Sequence, residues 1–81
     1  MTNAESLVMA IAENSPEKFR IVLNTVGLER MLAYRFEHMM NILNLAIDME
    51  SVDIVKEMAL VYKDKPVMQQ SLVNHKYAKD M

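Results

Sequence analysis

Glu37 and His38 place a carboxylate beside an imidazole, the first pair in the chain whose types suggest acid–base chemistry. Adjacent residues on a helix do not face each other, so the pair would not converge on one reacting atom. A general base also needs an orienting partner and a pocket. The helical neighbours of His38 are Met31, Tyr34, Arg35 and Ile42, none of them acidic. The expectation is a solvent-side or half-buried histidine. His75 stands in a polar tail and is expected to be solvated. No residue is assigned a catalytic role.

Glu50, Asp53 and Glu57 fall at i, i+3 and i+7, on one face of a helix. A divalent cation wants convergent oxygens, and a calcium-binding hand adds a fixed loop spacing with a glycine that this segment lacks. A solvated acidic face is expected, able at most to steer a basic partner. No metal and no cofactor is expected. Arg30, Tyr34 and Arg35 offer guanidinium groups and a ring for phosphate and base stacking. Arg30 and Arg35 do not share a face of one helix, so an anion site would need copies from two subunits. That defines the alternative function, an oligomeric sponge for an anionic nucleotide. Gly27 is the single glycine, so no glycine-rich loop cradles phosphate. Ser6, Ser15, Ser51 and Ser71 lack the context of an activated nucleophile.

Methionine is the unusual residue, with nine in 81 positions. Its flexible, polarizable side chain fills irregular cores and also makes adaptable binding surfaces. Met31, Met39, Met40 and Met58, with Phe36, are the candidate partner-binding residues. Core filling is the competing role for each.

The elements that position these residues read as helices throughout. Asn3 suits an N-cap, opening a first helix from about Ala4 to Glu13. Ser15-Pro16-Glu17 combines a cap, a first-position proline and an acid in the first turn. The second helix then runs to about Val26, and Gly27 ends it. Apolar residues from Leu28 to Met49 keep helical spacing and predict one long third helix. Ser51 and Asp53 suit the start of a fourth helix, from Val52 to about Tyr62. The sequence allows the third and fourth to run on as one bent rod. Lys65-Pro66 stops that element, and Val67 to Tyr77 allows one short helix more.

Composition bounds what such helices can be. A domain this small hides only about 60% of its unfolded surface, and small folds need a staple. Cysteine is absent, which excludes disulfides and thiol chemistry and fits a reducing compartment. With an apolar fraction of 52%, a partner or a second copy is the staple that remains. Net charge is −2, so a broad basic field for nucleic acid is not expected. Residues 1–61 carry nine acids against five bases, and residues 62–81 four bases against two acids. No signal peptide is expected at the start, and no run of about 18 apolar residues could span a membrane.

Two segments repeat at an offset of 36 residues. Leu7, Ala10, Ile11, Ser15, Glu17, Phe19 and Arg20 line up with Leu43, Ala46, Ile47, Ser51, Asp53, Val55 and Lys56. Four of these pairs are identical and three keep their type. Such a repeat describes a helix hairpin used twice. The run from Leu43 to Lys56 resembles the helix pair of an ankyrin repeat, and Ala10 to Leu23 resembles a poorer copy. Thr-Pro is missing before Leu7 and Leu43. Asn14 and Glu50 stand where a glycine is expected, and residues 28–42 read as helix rather than β-turn. The resemblance implies protein binding without chemistry. In size, methionine content and lack of cysteine, the whole chain is similar to small accessory proteins of T-even-type bacteriophages, such as lysis-inhibition accessory proteins. That resemblance implies a host enzyme, or the cytosolic part of a membrane protein, as partner.

The expectation is therefore an all-α protein of four helices, or five with a short C-terminal one, in antiparallel hairpins. Residues 1–65 would form the helical core, and residues 66–81 a short helix and basic tail. The expected function is a cytoplasmic, non-enzymatic interaction module of regulatory or inhibitory kind. It would bind a partner protein, or itself, through the apolar face of residues 28–60.

Overall fold

The computed structural model describes residues 2–75. Its helices are α1 (Asn3–Ala12), α2 (Pro16–Val26), α3 (Leu28–Ala33), α4 (Ile42–Asp48), α5 (Val52–Val61) and α6 (Pro66–Val73), with a short 3-10 turn at Glu37–Met39. The fold is all-α, as the patterning requires.

Local chemistry explains each start and stop. Thr2 rather than Asn3 caps α1. Its hydroxyl accepts from the Glu5 amide at 3.1 Å, and the Glu5 carboxylate accepts from the Thr2 amide at 3.0 Å. This reciprocal box satisfies two orphan donors. Ser15 caps α2 through the Lys18 amide at 3.3 Å, with Pro16 in the first turn. Gly27 serves two helices. Its amide donates to the Leu23 carbonyl at 2.8 Å, and its own carbonyl accepts from the Met31 amide at 3.1 Å. It does so at φ 86 and ψ 159, a conformation that side chains exclude.

The long third helix expected from Leu28 to Met49 does not form. α3 stops at Ala33, and Tyr34 is extended at ψ 141. The Arg35 guanidinium donates through Nη1 to the carbonyls of Leu32 and Tyr34, both at 2.9 Å, and so caps the end of α3. His38 and Met39 then adopt left-handed backbone, φ 59 and 63. A new helix begins because Asn41 and Asn44 cap each other, amide to side-chain oxygen, at 2.8 and 3.1 Å. Leu28, Met31, Leu32, Phe36, Met39 and Leu43 keep three-and-four spacing and so suggested one helix, but Met39 on that stripe is exposed and Met40 beside it is buried. α4 and α5 are likewise two helices, separated by Glu50 at φ 56.

The core gathers residues from every helix, including Leu7, Ile11, Phe19, Met31, Ile54 and Leu72. α6 belongs to it: it packs on α3 and α4, and Leu72 is buried. The basic tail at 76–81 lies outside the described residues.

The repeat is visible in the backbone. Both corners, α1–α2 and α4–α5, use the same bonds. Ser15 and Ser51 amides donate to the Ala10 and Ala46 carbonyls, and Asn14 and Glu50 amides to Ile11 and Ile47. Asn14 at φ 51 and Glu50 at φ 56 are both left-handed. They occupy the position where the sequence pattern called for glycine.

Candidate functional site

The acid–base candidates separate into structural contacts. The left-handed turn brings His38 Nε2 to 3.4 Å from the Glu37 carboxylate, closer than a helix would allow. The pair is exposed, with side-chain accessibilities of 50% and 82%. His75 is not free in solvent. Its Nε2 lies 2.8 Å from the Met39 carbonyl, and it ties the end of α6 to the 3-10 turn. A carbonyl only accepts, so this imidazole nitrogen carries the proton.

The acidic trio is partly engaged. Glu57 accepts both Nε and Nη2 of Arg20, at 2.8 and 3.0 Å, a forked pair between α2 and α5. The hydrogen bond from Arg20 holds the Glu57 carboxyl below its usual range, against the opposing effect of burial. Asp53 accepts from Asn14 Nδ2 at 3.2 Å. Glu50 lies outside the helix, at the corner. Among the described residues, no group of His, Asp and Glu is placed to hold a metal ion.

Arg30, Tyr34 and Arg35 do not form one site. Arg30 lines a recess with Gly27, Leu28, Glu29, Lys65 and Met68, of which Tyr34 and Arg35 are no part. Arg35 is held on the carbonyls at the end of α3. The Tyr34 ring packs on Phe36, with centroids 6.3 Å apart.

The predicted partner-binding set divides. Met31, Met40 and Met58 are buried, at most 2% exposed, and build the core. Phe36 is half-buried against that core, and Met39 is exposed. Burial of these three methionines agrees with core filling, the competing role for each.

The apolar surface lies elsewhere. A groove of about 330 Å³ runs between α4, α5 and α6. Leu43, Ile47, Val55, Ala59 and Val73 form its walls, and Met58, Tyr62 and Leu72, all buried, underlie it. Ile47 is 57% exposed and Val73 60%. Tyr62 is fixed below by its hydroxyl, which donates to the Leu28 carbonyl at 3.3 Å. Burial pushes that phenol up to about 12, so it stays neutral at any ordinary pH. Asn41, buried between α4 and α6, donates to the Leu72 carbonyl at 3.0 Å and holds the α6 wall in place. Ile47 and Val73 are not among the residues predicted from methionine content. The repeat carried the signal for Ile47, which matches Ile11, a residue with no exposure.

Arranged this way, the groove offers apolar contact area and few polar groups. It has no nucleophile, no acid–base pair and no charged anchor. Among the described residues, no helix is long and apolar enough to cross a membrane. No protein-family model, curated protein or solved structure matches the chain.

Proposed function

We propose that the chain is a non-enzymatic protein–protein interaction module, a regulatory or inhibitory accessory protein that binds its partner through the α4–α5–α6 groove. The observation that carries this reading is the exposure of Ile47 and Val73 at the mouth of a groove lined mostly by apolar side chains, with Asn44, Gln69 and Tyr62 as its polar members. Contiguous apolar surface of this kind marks interaction sites. An amphipathic helix laid into such a groove buries its apolar face without needing a charged anchor. The α6 wall is held by two polar ties, Asn41 to Leu72 and His75 to Met39, which favour a pre-formed groove.

The test is an affinity pull-down from the native cell with wild type, Ile47→Asp and Val73→Asp. Both positions are exposed, so the variants keep their helical circular dichroism. The partner captured by wild type should be lost from both. Capture by folded Ile47→Asp and Val73→Asp at wild-type level would remove the groove as the binding face.

A further inference from the structure

The internal repeat provides a template for what the second hairpin can bind. Where the first hairpin meets the second, three polar contacts form. Ser51 Oγ donates to the Ile11 carbonyl. Asn14 Oδ1 accepts from the Asp53 and Ile54 amides, at 3.0 and 3.3 Å, and so caps α5 from outside. Arg20 holds Glu57. Shifted by one repeat, these become the Ile47 carbonyl, Glu50 and Lys56, on the far side of the second hairpin. The apolar residues there follow the same shift. Ile11 and Phe19 have no exposure, whereas their equivalents are bare or half-bare: Ile47 is 57% exposed and Val55 intermediate. Val52 adds 56% exposure beside them, and a recess of about 550 Å³ runs along Ala46, Ile47, Glu50, Val52 and Val55. α6 covers the other end of this face and leaves the corner open.

We infer that this bare corner accepts a helical hairpin of a partner protein, docked in the register of the internal repeat. The inference rests on the interaction-module reading above and specifies the partner's chemistry. The incoming corner carries Ser or Thr, whose hydroxyl donates to the Ile47 carbonyl. Aliphatic residues follow three and seven positions later, as Ile54 and Met58 follow Ser51. An acid follows six positions later, as Glu57 does, and pairs with Lys56. Glu50 faces the first turn of the incoming helix. A carboxylate there suits the orphan amides and the positive helix end. It repels an acid at the position equivalent to Asp53.

A second copy of this chain does not meet these terms. Its first hairpin would present Glu17 to Glu50, Lys18 in place of the aliphatic residue, and Ile21 opposite Lys56. Its second hairpin has the right pattern but already uses that face on its own first hairpin. The occupant is therefore a different protein.

The experiment titrates isotope-labelled full-length chain with a synthetic peptide of residues 41–63 carrying Asp53→Asn, followed by amide NMR shifts. Shifts are expected at Ile47, Glu50, Val55 and Lys56. Ile47→Asp in the protein should weaken binding about tenfold or more by placing a charge in the contact. Lys56→Glu should weaken it about fivefold, and Glu57→Lys in the peptide should restore it. Shifts confined to another face, none at millimolar peptide, or failure of the charge exchange would overturn the register. A concentration-dependent dimer abolished by Ile47→Asp would make a second copy the occupant and overturn the assignment. Loss of the peptide effect with an Ile47-dependent partner in the pull-down would sink the hairpin register alone. Peptide binding with a partner indifferent to Ile47 and Val73 would sink the groove's assigned role instead.

Discussion

Asn14 and Glu50 hold the same place in the two hairpin corners, both with left-handed backbone, at φ 51 and 56. Glycine introduced at each should nevertheless act in opposite directions. At Glu50, a side chain in this region costs about 1–2 kcal/mol, which glycine removes. Glycine also loses more freedom on folding, a cost of about 0.5–1 kcal/mol. The net expectation for Glu50→Gly is stabilisation by about 0.5–1 kcal/mol. Asn14 differs because asparagine tolerates this backbone well, so relief is small. Its side chain also makes three bonds to α5, to the Asp53 and Ile54 amides of the first turn and to the Asp53 carboxylate. Loss of an N-cap costs about 1 kcal/mol, and the glycine entropy adds to it. Asn14→Gly should therefore destabilise by about 1.5–2 kcal/mol. In a chain this short, each kcal/mol moves the melting temperature by about 4–8 °C. Thermal unfolding followed at 222 nm should show Glu50→Gly melting several degrees above wild type and Asn14→Gly clearly below it. The same sign at both positions would refute the reasoning, since the capping bonds of Asn14 and its tolerance of this backbone are what set the two corners apart.

Gly27→Ala should cost about 1–3 kcal/mol from backbone strain alone, because a methyl group there meets nothing within 4 Å. Urea unfolding should show a lower midpoint at unchanged slope. Glu57 has its pKa lowered by Arg20, so its contribution is present above the unfolded value and fades as pH falls through the folded one. Below the ordinary carboxyl value of 4.5, wild type should lose stability more steeply than Glu57→Gln, as acid titration of the folded fraction would register. Met31→Ala should cost about 2–5 kcal/mol as a core deletion, while Met39→Ala, at an exposed position, should stay within about 0.5 kcal/mol. Equal effects on chemical denaturation would mean that the core assignment of these methionines is mistaken.

Much of the fold was legible in local signals. Ser15-Pro16 and Gly27 delimit α2 as their chemistry requires, and Lys65-Pro66 separates α5 from α6. The repeat between Leu7 and Leu43 announced two hairpins, and both corners share one hydrogen-bond pattern. The break at residues 34–41 was hidden because its cause is not periodic. It depends on a reciprocal pair of asparagines, on an arginine turned back to carbonyls, and on two left-handed residues that are not glycine. The site was legible only through comparison of the two hairpins. Methionine counts pointed to Met31, Met40 and Met58, which burial takes into the core. Ile47 and Val73 look ordinary in sequence. Their exposure follows from where α6 lies, and no single segment encodes that.

The cap on α5 also bears on how the chain acquires its structure in time. Ser51, which reads as the local cap, turns its hydroxyl to the Ile11 carbonyl, and the first amides of α5 wait for Asn14. These contacts join residues 39 and 40 positions apart. A helix that begins on a distant side chain forms with the closure of that loop, at an entropic cost that local capping avoids. During synthesis from the N-terminus, α1, α2 and their corner are complete well before Ile54 emerges. The residues of the first hairpin are then all present before the second hairpin's leading turn can be capped, so the two corners, alike in geometry, differ in order of birth.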